Sequence, residues 1–256
     1  VVVVVCLFVG CCCCCCCVSF FSSFLLSSSS TFLSVPALFF RGRREGGRRR
    51  KGGRTMSSTS SPPICLFTHP RCPYAQRVWI ALEMSNLTFT SQIVNLYGSS
   101  GFTKANLKEI EKRGGLSPKG YVPVIVIDQE VVRESSVCIE RIAKISSEVE
   151  GATSLLPKNS EFAEKMIDFC NSLPCSSSSP ELTSFLNLLE ESLNENEFLA
   201  GDTFSSADAC ILPFLQRVES EWEGEGRKYK QLRKYMNNAH NLEGFKKTVV
   251  DDWWWW

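Results

Sequence analysis

From residue 64 the apolar positions come as one short block, Ile64-Cys65-Leu66-Phe67-Thr68, which is of strand length and stops at His69-Pro70-Arg71-Cys72-Pro73. A buried strand running into a turn follows from that block and its breakers. Beyond Pro73 the period changes: Ala75, Val78, Trp79 and Leu82 stand at i, i+3, i+4 and i+7 and share one face of an amphipathic helix. Proline suits the first helical position because the N–H it lacks has no partner there, and this puts Cys72 at the helix cap.

The alternation continues. A second strand is expected over 92–96 and a helix over 104–112, with a polar, glycine-containing stretch between them. The apolar run 121–127 and the pair Val131-Val132 flank Asp128-Gln129-Glu130, the pattern of two strands joined by a polar turn. Cys138, Ile139, Ile142 and Ile145 return to helical spacing. The order strand, helix, strand, helix, strand, strand, helix is that of an α/β domain.

Leu155-Leu156-Pro157 and the polar residues around them mark a linker, after which strand signals cease. The firmest feature of the helical half is Ser205-Ser206-Ala207-Asp208, a capping box in which the Ser205 hydroxyl is expected to accept from a backbone N–H while Asp208 reaches back. Ala207, Cys210, Ile211, Phe214, Leu215 and Val218 form the apolar face behind it, so Asp208 reads as structural rather than catalytic. At 256 residues the chain has room for two domains. The expected division is a low-complexity leader over 1–60, an α/β domain over 61–148, a linker over 149–160, an all-helical domain over 161–250 and a tail over 251–256.

Charge and cysteine change this picture only at the ends. Eight basic residues between Arg41 and Arg54 against the single acid Glu45 give the first 55 residues a net +7 and leave −6 for the rest of a chain whose total is +1. A mildly acidic body without a basic stripe repels phosphate, so nucleic acid is not an expected partner. Eight of fourteen cysteines lie in the leader; Cys65, Cys72, Cys138, Cys170, Cys175 and Cys210 remain, too widely spaced for a disulfide framework and suited to a reducing compartment. No paired zinc-ligand spacing occurs and the histidines are His69 and His240, so no metal is expected.

The leader itself supports three readings. Its uncharged apolar run is long enough for a signal or membrane segment, and the arginine cluster suits a transit peptide. The homopolymers are also what a repeated triplet yields in two frames, GTT giving valine and TGT giving cysteine, as TGG would give the tryptophans at 253–256. On that last reading Met56 starts the protein, membrane association is not implied and the compartment is cytoplasmic; a plastid is the alternative if the leader is a targeting peptide.

The chemistry concentrates at Cys72. At a helix start its sulfur lies near unbonded N–H groups and the positive end of the helix dipole, where thiolate is favoured; partly exposed, such a thiolate attacks a disulfide. Arg71 and Arg77 are expected to add to the effect, and His69 either tunes the thiolate or is merely solvated. Three residues on, where a dithiol site would carry its second cysteine, stands Ala75. The resolving thiol must then come from elsewhere, and glutathione is the abundant intracellular candidate. Cys65, Cys138 and Cys210 sit on apolar faces and read as core.

The segment Cys72-Pro73-Tyr74-Ala75-Gln76-Arg77-Val78-Trp79 resembles the active-site motif of cysteine-containing glutathione transferases of the omega and lambda classes and of plant dehydroascorbate reductases. Ser117-Pro118-Lys119-Gly120-Tyr121-Val122-Pro123-Val124 is similar to the family's Val-Pro segment, where the proline is cis and the preceding backbone pairs with the glutathione cysteine. Glu134-Ser135 matches the pair that holds the γ-glutamyl end, and Gly201 to Asp208 resembles the family's helical capping segment. Four landmarks in order, spanning nearly all of 64–250, make the likeness specific.

The resemblance implies a thioredoxin-like N-terminal domain packed on an all-α glutathione transferase C-terminal domain. Glutathione would be co-substrate, and the partner a small electrophile, a disulfide or dehydroascorbate, in a monomer or homodimer. Cys72 would be catalytic, with Tyr74, Lys104, Val122, Pro123, Glu134 and Ser135 binding glutathione. The interval from Cys72 to Val122 looks longer than is usual for the omega class, which blurs the alignment at Lys104. A non-catalytic relative, a chloride intracellular channel-like module or a ligand carrier, is the alternative function.

Overall fold

A computed structural model of the chain describes residues 61–173, 179–223 and 228–249. The expected leader, the tail over 251–256 and Cys175 lie outside the described residues. Strand β1 (Ile64–Thr68) leads through a turn into helix α1 (Pro73–Met84), and β2 (Phe89–Ile93) returns parallel to β1 with Ile64 opposite Phe89 and Thr68 opposite Ile93. Helix α2 (Lys104–Arg113) precedes β3 (Val124–Ile127) and β4 (Glu130–Arg133), an antiparallel hairpin, with β3 also antiparallel to β1. The sheet order is β2-β1-β3-β4, and α3 (Ser135–Glu148) closes the thioredoxin-like unit.

Pleating divides the sheet between two cores. Ile64 and Leu66 face one way, packing with Val78 and Leu82 of α1 and Ile139 and Ile142 of α3, whereas Phe67, Val124 and Val126 face α2 through Leu107. All four residues of β3 are buried, as a central strand covered on both faces requires.

Two strands differ from expectation. β2 starts at Phe89 rather than at 92 because its limits are set by pairing with β1, and its polar, mostly exposed side chains carry no apolar pattern to read. β3 starts at Val124 rather than at 121 because Pro123 offers no N–H to the ladder and residues 121–123 turn toward α1.

The helical unit consists of α4 (Ser160–Ser172), α5 (Pro180–Glu195), α6 (Ser206–Glu223), α7 (Lys230–Asn241) and the short α8 (Glu243–Lys246). Among the described residues no helix is long and apolar enough to cross a membrane. The two units join where α1 packs on α6 and α8 and α3 packs on α6. At that seam Gln76 donates to Gln216 Oε1 at 3.1 Å and accepts from Arg217 at 2.9 Å.

Asp208 holds the start of α6. Its Oδ2 accepts the Ser205 N–H and the Ser205 hydroxyl, each at 2.8 Å, and its Oδ1 accepts Leu199 N–H at 3.0 Å and the Tyr235 hydroxyl at 2.8 Å. Asp208 reaches back as expected, but the Ser205 hydroxyl donates to the carboxylate. A fully buried carboxylate is the stronger acceptor and draws the proton.

Candidate functional site

Cys72 joins a turn to a helix. Its N–H donates to His69 O at 3.0 Å and its carbonyl accepts from Gln76 N–H at 2.9 Å. Extended dihedrals of φ −89° and ψ 115°, with Pro73 at the head of α1, make Cys72 the residue preceding the first helical turn, as the pattern of proline and apolar spacing implied. The thiol donates toward the Val122 carbonyl oxygen across 3.8 Å. Val122–Pro123 is a cis peptide.

Cys72 is only 3% exposed, less open than a reactive thiol was expected to be. Its side chain drops between the end of β1 and residues 121–123, among Phe67, Ala75, Val94, Leu107 and Val122, instead of standing on the surface of the turn.

The other expected ligand residues stand at the starts of α1, α2 and α3. Tyr74 lies at the opening of α1 and is 37% exposed, with the Arg77 guanidinium 5.2 Å from its ring center. Lys104 heads α2, its ammonium 5.8 Å from the center of the Tyr121 ring and hence beside the segment entering Val122. Glu134 immediately precedes α3 at φ 68° and ψ 122°, and Ser135, half-buried, is the first residue of that helix. The Lys119 ammonium lies 3.3 Å from Glu134 Oε1, tying the α3 start to the same loop. The structure thus brings Cys72, Val122 and Pro123 together, with Lys104 and Glu134 linked to that loop through Tyr121 and Lys119.

Arg77 directs its hydrogen bonds to the helical unit. It donates to Asn171 Oδ1 at 2.7 Å and to Cys170 Sγ at 3.7 Å, both on α4. Five residues along a helix turn a side chain about 140° from its starting direction, which aims Arg77 at the helical unit. His69 Nδ1 accepts the Arg71 N–H at 3.3 Å, and its ring meets Tyr97 edge-on with centers 6.1 Å apart. Burial, followed by the Arg71 charge, holds the His69 ring below its ordinary value of 6.5, favoring the neutral imidazole.

The other thiols among the described residues behave as core. Burial pushes Cys138 and Cys210 up to about 12 and Cys170 to about 11, and also raises half-buried Cys65. Sequence reasoning missed Glu111, whose buried carboxylate accepts the Lys119 and Gly120 N–H groups. The available signal was its place four residues after Leu107, on the face of α2 that an apolar side chain would occupy.

Known proteins match in both halves of the chain. The family pattern described as glutathione S-transferase, N-terminal domain, matches residues 71–145, and the glutathione S-transferase C-terminal domain pattern matches 176–243. A rice protein named "Probable glutathione S-transferase DHAR2, chloroplastic" is 26% identical over 191 residues, covering 70% of this chain and 65% of its own length. The chain thus spans just under two thirds of that relative. "Protein IN2-1 homolog B", also from rice, is 27% identical over 208 residues, covering 73% of this chain and 80% of that protein. Among solved structures, glutathione transferase Omega 1C from Trametes versicolor superposes with a TM-score of 0.58 at 23% identity, covering 75% of this chain and 93% of that one, a likeness of fold.

Proposed function

This chain belongs to the cytosolic-type glutathione transferase family, and from that membership we propose that it is a glutathione-dependent thiol transferase working through Cys72. The observation that carries the proposal is the Cys72 thiol at the head of α1, 3.8 Å from the carbonyl of the residue that precedes cis-Pro123. Peptide dipoles aligned along α1 place positive potential at that end, which stabilizes a thiolate and the partial charge on sulfur during exchange.

The Cys72 thiolate attacks the glutathionyl sulfur of a mixed disulfide, forming a Cys72–glutathione disulfide and releasing the other thiol as thiolate. The thiolate of a second glutathione attacks that bond, giving oxidized glutathione and restoring the Cys72 thiolate. With dehydroascorbate, the Cys72 thiolate adds to a carbonyl carbon, a glutathione thiolate attacks the Cys72 sulfur and expels ascorbate, and a second glutathione reduces the Cys72–glutathione disulfide so formed, giving oxidized glutathione. In this reading Val122 and Pro123 align the cysteinyl backbone, Glu134 and Ser135 hold the γ-glutamyl end, Lys104 meets the glycine carboxylate, and Tyr74 lines the entrance. The compartment is the cytoplasm, or a plastid if the leader is a targeting peptide; the rice relative's name carries the word chloroplastic.

The 3% exposure of Cys72 supports a second reading, a non-catalytic binding module or ligand carrier of the same fold, because a covered sulfur is inert until its surroundings open. One experiment separates the two. Turnover of hydroxyethyl disulfide, dehydroascorbate and a chlorinated aromatic with glutathione is compared for the wild type and Cys72→Ser. Thiol transfer to the first two that drops at least about a hundredfold in the variant is expected for a nucleophile. Absence of turnover by the wild type, or full activity in Cys72→Ser, refutes the mechanism.

A further inference from the structure

Glu111 is fully buried on α2, where a carboxylate is unfavorable unless donors meet it. Its Oε2 accepts the N–H groups of Lys119 and Gly120, both at 2.7 Å. Its Oε1 makes no hydrogen bond and lies 3.6 Å from Arg133 Nη1, an ionic contact. That same arginine nitrogen donates to Ser117 O at 2.6 Å. One carboxylate from α2 and one guanidinium from β4 therefore grip three of the residues that lead into Val122.

The loop is also blocked from behind. Gly120 sits at φ 71°, and a Cβ there would come 3.0 Å from Lys108 Cγ and 3.1 Å from the Lys104 carbonyl oxygen. An apolar residue at 111 would extend the Leu107 face of α2 without the cost of burying a charge. What the carboxylate adds is a fixed loop, because its hydrogen bonds go to backbone N–H groups of that loop.

We propose that Glu111 is a positioning residue for glutathione, holding through Lys119 and Gly120 the Val122 backbone that faces Cys72. The proposal rests on the glutathione-dependent reading above. It predicts that loosening the loop weakens glutathione binding before it slows the sulfur chemistry.

Glu111→Gln keeps the shape but loses the charge and part of the accepting capacity. The expected result is amide hydrogen exchange at Lys119 and Gly120 faster by about tenfold, a glutathione KM higher by about tenfold, and kcat changed by less than about twofold. Arg133 is partly exposed, so Arg133→Gln is expected to fold even if Glu111→Gln does not, and it should move KM the same way by about threefold. Unaltered exchange in the folded variants overturns the clamp; faster exchange with unaltered KM leaves Glu111 merely structural and overturns its role toward glutathione. A wild type without glutathione-dependent turnover removes the functional reading and this role with it, and the exchange measurement then still reports on the clamp by itself.

Discussion

The sulfur of Cys72 and the carbonyl oxygen of Val122, 50 residues apart in the chain, lie 3.8 Å from each other. This contact joins the turn after β1 to the segment entering β3, and in the proposed site the glutathione cysteine pairs with the Val122 backbone beside this thiol. Incubation with oxidized glutathione should therefore modify Cys72 ahead of Cys65, Cys138, Cys170 and Cys210, whose thiols burial holds protonated. Peptide mapping reads the order of modification, and prior labeling of any of those four counts against the assignment.

Lys104 and Ser135 bear on the two ends of the tripeptide in the proposed site. Lys104→Ala removes a partly exposed cation and should raise the glutathione KM by about threefold, and Ser135→Ala removes one hydroxyl and should raise it by about fivefold. Neither touches the sulfur, so kcat should stay within about twofold in steady-state assays.

Glu134 adopts φ 68° and ψ 122°, a conformation that favors glycine. Holding a side chain there costs on the order of 1–3 kcal/mol, so Glu134→Gly should stabilize the protein by about 1 kcal/mol in urea unfolding. The same substitution should raise the glutathione KM. A variant that is neither more stable nor weaker in binding would show that the strain has no function.

Asp208 carries four hydrogen bonds in a fully buried setting. Asp208→Ala strands the Leu199 N–H, the Ser205 N–H and the Tyr235 hydroxyl, and should cost about 3 kcal/mol or more in chemical unfolding, with little effect on the glutathione KM of the molecules that remain folded.

Burial raises the Asp208 carboxyl above its ordinary value of 3.8, against the opposing pull of its four donors. The folded state then binds its proton more tightly than the unfolded one, so this group's contribution is complete below the unfolded value and lost as pH rises through the folded one. Asp208→Asn has no such proton, and its stability deficit relative to the wild type should narrow as pH rises above the unfolded value of 3.8. A deficit that widens over that range reverses the sign and overturns the argument.

The sequence by itself determined the local structure around Cys72 and suggested the chemistry proposed for it. A proline at the first helical position and an apolar period of 3.6 are local properties, so the end of β1, the start of α1 and the cysteine between them were legible without coordinates. The resemblance carried by Cys72-Pro73-Tyr74, Val122-Pro123 and Glu134-Ser135 extended this to the family, because each is a short contiguous motif. Tertiary structure alone decided how covered the sulfur is, where Arg77 points, where β2 begins and what Glu111 holds. Each of these depends on groups that meet only after packing: Cys72 with Val122, Arg77 with Asn171, β2 with β1, and Glu111 with Lys119 and Gly120. Periodicity records which face of an element is buried, whereas the partner on the other side of that burial is chosen by the fold.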